Sequence, residues 1–110
     1  MKLKEKEVDV GYLYMTGANQ YRAVLAMKAE FMIYTPGLEG TALLKLNATQ
    51  MPFENQPFKK CQIVTFAKKN YQVFDFNGAV AIKHQLNESQ LTEAIAQCNA
   101  KSAIATLLAE

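Results

Sequence analysis

An apolar side chain occupies every second position between residues 21 and 33, the longest such pattern in the chain. A period of two places successive side chains on opposite faces of a β-strand, so the pattern predicts one long strand, 21–34, lying over a core. A strand of this length needs a bend or a bulge. The expected core-facing residues are Tyr21, Ala23, Leu25, Met27, Ala29, Phe31 and Ile33, with Arg22, Lys28 and Glu30 on the other face.

A helix is the alternative for residues 20–33, because the segment is rich in Ala, Leu, Met, Lys and Glu, which favour helices. On a helical wheel Lys28 falls in the middle of the apolar stripe, whereas on a strand it falls on the polar side. The position of Lys28 therefore favours the strand.

Turn-forming residues divide the rest of the chain into shorter strands. Residues 16–19 supply a turn that joins the segment 8–15 to the long strand as a hairpin. Asn77-Gly78 is the strongest turn, because both residues tolerate the positive φ of a type I′ hairpin. Further turns are expected at 36–40 and 68–70. Further strands are expected at 41–47, 61–67, 71–76 and 79–84. Residues 50–58 are expected to form an extended loop, and residues 1–6 a frayed or edge segment.

The two-residue turn at 77–78 also predicts a register for the hairpin that contains it. On one face Phe76 meets Ala79, Phe74 meets Ala81 and Gln72 meets Lys83, and on the other Asp75 meets Val80, Val73 meets Ile82 and Tyr71 meets His84. Both faces are substantially apolar, whereas a sheet with one solvated face shows a cleaner division. We therefore expect both faces of the sheet to be covered.

The C-terminal segment has the signals of helical structure. Asn87 and Gln90 are spaced as a capping box, and Leu86 and Leu91 as a hydrophobic staple. Two apolar stripes would point in different directions on one straight helix: Leu91, Ala94, Ile95 and Cys98 form the first, and Ile104, Leu107 and Leu108 the second. We infer a break near Asn99; the alternative is one helix that lies between the sheet and a second surface. The expected fold is a single α+β domain, 1–110, in which an antiparallel, curled or partly barrel-like sheet of about six strands precedes a C-terminal helical segment.

Composition narrows the functional classes. The chain has 12 Lys and Arg against 10 Asp and Glu, a net charge of +2 that does not by itself indicate a polyanionic partner. The two cysteines, Cys61 and Cys98, are too far apart for a zinc or redox motif. The charged first residues lack the apolar segment of a secretory signal, and no apolar run is long enough to span a membrane. We expect a cytoplasmic protein with free thiols, no metal and no cofactor.

Signatures of catalysis are sparse, so we expect a protein that is not an enzyme. The one histidine, His84, has no nucleophile and acid near it in the sequence. Cys98 lies on an apolar helical stripe, which is typical of a small buried hydrophobic residue. Cys61 follows Lys59 and Lys60, whose charges could lower its pKa. Asp75 stands among apolar residues and, if buried, would need Lys83 or Arg22 as a partner.

Binding of single-stranded nucleic acid is a second possibility. Two lysine pairs flank the segment 61–67, and aromatic residues follow them. Sheets that bind single strands combine basic edges with exposed aromatic rings, although a single arginine in the chain argues against this function. The residues that would bind are Lys59, Lys60, Lys68, Lys69 and Tyr71.

Protein binding is the function that the sequence favours. Apolar residues on both sheet faces and on two helical stripes indicate more apolar surface than one chain can cover, which a homodimer would bury. The expected interface residues are Phe53, Phe58, Ile104, Leu107 and Leu108, and the alternative for Phe53 and Phe58 is that their side chains fold back into the core. We therefore expect a small regulatory or binding module that self-associates, with another protein partner unidentified. The remaining alternative is a small-ligand pocket that uses Asp75, Tyr71 and His84.

Overall fold

An antiparallel sheet of six strands forms the centre of the protein, in a computed structural model that describes residues 2–36, 51, 53, 56–76 and 78–109. The sheet is not closed into a barrel, and two further strands form a separate hairpin. The α+β class and the C-terminal helices are thus confirmed. The strands are β1 (Tyr12–Thr16), β2 (Tyr21–Lys28), β3 (Phe31–Pro36), β4 (Lys59–Gln62), β5 (Tyr71–Gln72), β6 (Phe74–Phe76), β7 (Ala79–Ala81) and β8 (Lys83–Gln85), and the helices are α1 (Ile63–Ala67), α2 (Glu88–Gln97) and α3 (Lys101–Ala109).

The strand order is β4-β3-β2-β1-β5, and β8 also pairs with β1. The outer edge of β1 is shared: Leu13 pairs with His84 of β8, and Met15 pairs with Gln72 of β5. The chain between β5 and β8 leaves this edge and forms the hairpin of β6 and β7. The predicted turn at 16–19 is confirmed, since it joins β1 to β2 as neighbours.

The predicted long strand is instead two strands. The chain is extended as the alternation indicates, but β2 ends at Lys28 and β3 begins at Phe31, its cross-strand partner. The intervening turn places Ala29 at φ 55°, in the left-handed region. The expected bulge is present, because the register of β2 and β3 shifts between Val24 and Ala26.

Three of the residues expected on the core face therefore lie elsewhere. Met27 packs against the residues that cover the opposite face of the sheet, and Phe31 is 37% exposed. Ala29 is exposed in the turn. Tyr21, Ala23, Leu25 and Ile33 share one buried cluster as predicted.

Each face of the sheet carries its own buried cluster. We call the first core 1; it lies under α2, α3, the β6–β7 hairpin and residues Met51 and Phe53. The second, core 2, lies under α1 and the N-terminal segment. Core 1 contains Leu13, Met15, Tyr21, Ala23, Leu25, Ala26, Ile33, Met51, Phe53, Phe74, Phe76, Leu86, Ala94, Cys98, Ala100 and Leu107, and core 2 contains Leu3, Val8, Tyr14, Val24, Met32, Tyr34, Ile63, Phe66, Ala67 and Tyr71.

The N-terminal segment is anchored rather than frayed. Leu3 is buried, and its backbone N–H donates to the carbonyl oxygen of Ala67 at 3.2 Å. A 3-10 turn, Glu5–Glu7, follows. The buried Tyr14 hydroxyl donates to the carbonyl of Glu7 and accepts from the N–H of Asp9, both at 2.9 Å. These contacts correct the expectation of a mobile start.

The predicted strand 61–67 continues only to Gln62 and then becomes helix α1. Ile63, Phe66 and Ala67 are all buried, at the spacing i, i+3, i+4 that lines one helical face. The same apolar residues also fit a strand over so short a segment. The turn predicted at 68–70 follows α1.

The Asn77-Gly78 hairpin has the predicted register near its turn and a different one farther away. Phe76 pairs with Ala79, Asp75 with Val80 and Phe74 with Ala81. The pairs predicted farther from the turn, Gln72 with Lys83 and Tyr71 with His84, are wrong. All four of these residues pair with β1 instead. The chain moves from one sheet to the other at Val73 and Ile82, which interrupts both predicted strands.

The C-terminal helices confirm the local signals. The Asn87 side chain accepts from the N–H of Gln90 at 2.8 Å, and the Gln90 side chain accepts from the N–H of Asn87 at 2.9 Å. α2 ends at Gln97 and Asn99 has φ 54° before α3 begins at Lys101. The break turns both stripes toward core 1, apart from Leu108, which is exposed. The predicted strand 41–47 and the turn at 36–40, apart from Pro36, lie outside the described residues.

Replacing Ala29 with glycine should stabilise the protein. An alanine at φ 55° raises the free energy of the folded state by about 1 kcal/mol, and glycine avoids this strain. Glycine also raises the entropy of the unfolded chain, which offsets only part of the gain. We expect the free energy of unfolding of Ala29→Gly, measured by urea titration, to rise by about 0.5 kcal/mol.

The matched control is Ala18→Gly, in the turn between β1 and β2. Ala18 is exposed like Ala29 but has no positive φ. This variant should lose about 0.5 kcal/mol, because it only gains unfolded-state entropy. Equal changes in both variants would contradict the strained turn.

Candidate interaction surface

Most of the expected interface residues belong to the core of the single chain. Phe53 and Leu107 are buried, and Phe58 and Ile104 pack against core 1. The loop around Phe53 is tied to α2, since its N–H donates to Oε1 of Gln97 at 2.9 Å. Of the expected set, Leu108 is exposed, at 54%.

The surplus of apolar surface is also absent from the described part of the chain. Both faces of the six-stranded sheet are covered by the chain itself, through α2 and α3 on one side and α1 on the other. The expectation that one copy cannot bury its apolar residues is therefore wrong for these elements. Any docking surface has to be sought among the exposed residues and the strand edges.

The residues expected to bind nucleic acid do not form one surface. Lys59 and Lys60 are exposed on β4, whereas Lys68 and Lys69 follow α1 and precede β5, at the opposite edge of the sheet. Four strand spacings, roughly 19 Å, separate these edges. Tyr71 is buried in core 2, and its hydroxyl donates to the carbonyl of Phe66 at 2.7 Å, so its ring offers no face for stacking.

The polar residues expected to form a small-ligand pocket do not converge. His84 is buried, with Nε2 2.8 Å from the carbonyl oxygen of Phe74 and its ring 4.6 Å from the Phe74 ring. Asp75 is exposed and accepts from the Gly78 N–H at 3.0 Å, which fixes the turn. Tyr71 belongs to the other face of the sheet. Because Asp75 is exposed, it does not need the partner that a buried carboxylate would require, and Lys83, one of the two candidates, pairs with Asp9 at 2.5 Å.

The two cysteines are unbridged and differ in exposure. Burial raises the pKa of Cys98 to about 12. Burial also raises the pKa of the half-buried Cys61, and the nearby Arg22 opposes this rise. The expectation that Lys59 and Lys60 lower the pKa of Cys61 is therefore wrong. Neither thiol has the lowered pKa of a nucleophile.

The β6–β7 hairpin carries the most exposed large apolar side chain of the described residues. Val80 is 67% exposed and lies on the face opposite the buried Phe74 and Phe76. Val73, which directly precedes β6, is 51% exposed. We call β7 and Val73 together the hairpin surface. It is separate from the core residues that the sequence indicated.

The outer edge of β7 is open to a further strand. In a two-residue hairpin the residues next to the turn exchange hydrogen bonds, so Phe76–Ala79 and Phe74–Ala81 are hydrogen-bonded pairs. The N–H and C=O of Val80 then point away from β6. Among the described strands, none pairs with this side of β7.

The edge strands β4 and β7 differ in charge. β4 ends the six-stranded sheet and presents the exposed Lys59 and Lys60. Lysines on an edge strand discourage pairing with another strand. β7 consists of Ala79, Val80 and Ala81 and has no such charge. The hairpin edge is thus the less protected of the two.

Comparison with known proteins adds no functional information. No protein-family model, no curated protein and no solved structure matches this chain. In the described part of the chain, no cluster of His, Cys, Asp and Glu could hold a metal ion, and none of the helices there could cross a lipid bilayer.

Thiol labelling should separate the two cysteines. At pH 8.5 we expect Ellman's reagent to modify Cys61 first, because Cys98 is buried and its pKa is about 12. The variants Cys61→Ser and Cys98→Ala assign each phase. If Cys98 reacts in the native protein as fast as in urea, it is not buried. If Cys61 titrates below about pH 8, then Lys59 and Lys60 do lower its pKa.

Proposed function

We propose that this protein is a non-enzymatic binding module that self-associates through the outer edge of β7. The observation that carries the proposal is the uncharged edge of β7 at the exposed Val80, with which no described strand pairs. The partner is a second copy of the chain, whose own β7 adds as an antiparallel strand. The unbridged cysteines support a reducing, cytoplasmic setting.

A second copy suits this edge because the edge is self-complementary. In an antiparallel β7–β7 pair related by a two-fold axis, Val80 lies beside Val80 of the partner subunit and small alanines flank the pair. The order of strands becomes β6-β7-β7-β6. The exposed Asp75 carboxylates then lie three strand spacings apart, roughly 14 Å, where salt screens their repulsion.

The edge at β4 is less suited to a second copy. Two β4 strands in antiparallel contact would place four lysines, Lys59 and Lys60 of each copy, on a single strand pair. Lysines on an edge strand discourage such pairing. Charge therefore favours pairing through β7 over pairing through β4.

A non-enzymatic role is supported by how the candidate catalytic groups are used. His84 contacts a backbone carbonyl and two phenylalanine rings, and Asp75 holds the hairpin turn. Cys98 is buried with a raised pKa. These side chains serve the structure and lie apart from one another.

The association should be weak, because the strand is short and the apolar contact small. An interface of this size is typical of transient complexes, and we expect a dissociation constant of about 0.1 to 1 mM. Sedimentation velocity from about 10 µM to 2 mM covers this range. A strict monomer at the highest concentration would overturn the proposal.

The variant Val80→Lys tests the position of the interface. A lysine at this edge brings like charges together in the dimer and should weaken association at least tenfold. Val10→Lys is the matched control, because Val10 is exposed at 46% but lies outside β7. Association that persists in Val80→Lys, or is lost equally in Val10→Lys, would place the interface elsewhere.

A further inference from the structure

An open hollow of about 370 Å³ lies at the end of the sheet where β1 turns into β2. The turn residues and Arg22 form one side, and Lys69 and Asn70, which precede β5, form the other. None of the residues lining it belongs to β6 or β7, so this site is independent of the hairpin surface.

The lining of the hollow is positively charged. Arg22 and Lys69 both line it, and none of the described lining residues is acidic. Two cationic side chains that share one concave surface repel each other, and an anion bound between them would relieve that repulsion. The charge of the hollow therefore favours an anionic ligand.

Arg22 is held in place on the rim of core 2. Its guanidinium carbon lies 5.3 Å from the centre of the Tyr34 ring, a cation–π distance. Its Nε is buried and has no hydrogen-bond acceptor among the described residues. Burial raises the pKa of the adjacent Tyr71, and the charge of Arg22 opposes that rise. Because Nε is buried, the terminal N–H groups of this positioned guanidinium are the ones that can reach an oxyanion, and they suit a planar fork of two hydrogen bonds.

Backbone hydrogen bonds fix the two sides of the hollow relative to each other. The Gly17 N–H donates to the carbonyl of Asn70 at 2.8 Å, which joins the two sides, and the Thr16 N–H donates to the carbonyl of Gln20 at 2.9 Å, which closes the turn on one side. A Cβ on Gly17 would lie 3.1 Å from the side chain of Asn70, so the two segments are in close contact. The site therefore needs little ordering when a ligand binds.

We propose that this hollow binds the dianionic phosphate group of a small phosphate monoester, or phosphate itself, between Arg22 and Lys69. Two cations match a dianion, whereas a single carboxylate would leave one cation uncompensated. The hydroxyl of Thr16 and the side-chain amides of Gln20 and Asn70 line the same hollow and can orient the remaining oxygens.

Titration followed by amide NMR at low ionic strength tests this site. Inorganic phosphate and glycerol 3-phosphate should both cause saturable shifts at Gly17, Ala18, Gln20 and Asn70, and acetate should bind about tenfold more weakly. Tighter binding of the ester than of phosphate would identify the organic ligand as the source. Acetate that binds as tightly as phosphate would overturn the assignment to a dianion.

Adjacent lysines provide a matched pair of variants. Lys69 lines the hollow and Lys68 does not, although both are exposed. Lys69→Gln should weaken phosphate binding about tenfold, whereas Lys68→Gln should leave it within about twofold. Equal losses would show attraction by overall charge and overturn the site.

Two further arms separate the remaining explanations. Arg22→Lys keeps the positive charge but removes the planar fork, so this variant should bind phosphate more weakly than the parent protein. If Arg22 variants fail to fold, Lys69→Gln still tests the site. A short oligothymidylate supplies phosphodiesters. If it binds more tightly than glycerol 3-phosphate, the site reads a nucleic-acid backbone and the small-ligand proposal fails.

Discussion

The contact of Phe66 with three tyrosines is the interaction on which the rest of the structure depends. Its ring centre lies 5.5 Å from that of Tyr14, 5.2 Å from that of Tyr34 and 5.4 Å from that of Tyr71. These tyrosines come from β1, β3 and β5, so one side chain of α1 joins three strands. Aromatic contacts of this kind add to the free energy of burying the rings. They turn the second face of the sheet into a core.

The path of α1 also determines where the charges lie. Because the helix carries the chain from β4 at one edge to β5 at the other, the two lysine pairs that are close in sequence are separated across the sheet. The same crossing brings Lys69 beside Arg22, which belongs to β2. A continuous basic surface is thereby lost, and a compact cationic hollow is formed in its place.

Local signals allowed much of the fold to be predicted from the sequence. The capping box of Asn87 and Gln90, the break at Asn99 and the register beside Gly78 each depend on residues within a few positions. The outer part of the same hairpin was not predictable in this way. Its residues pair with β1, a contact distant in sequence that overrides the register set by the turn.

The error in the segment 21–34 has a specific physical cause. The bulge between Val24 and Ala26 reverses which positions face core 1, and the two-residue turn after Lys28 reverses them again. The two reversals cancel, so Ile33 returns to the face of Tyr21 and the alternation continues through both. Ala29 and Glu30 are not typical turn residues, so no compositional signal marked the turn.

The candidate surfaces were harder to predict than the fold, because hydrophobicity indicates burial rather than docking. Phe53 and Leu107 were selected as strongly apolar residues, and for the same reason they lie inside core 1. Whether an edge accepts another strand depends instead on its unpaired backbone groups and its charges. The edge at Val80 exists because β5 and β8 both pair with β1, which leaves the chain between them to form a hairpin of its own. Long-range pairing, and not the sequence of the hairpin, therefore creates this exposed edge.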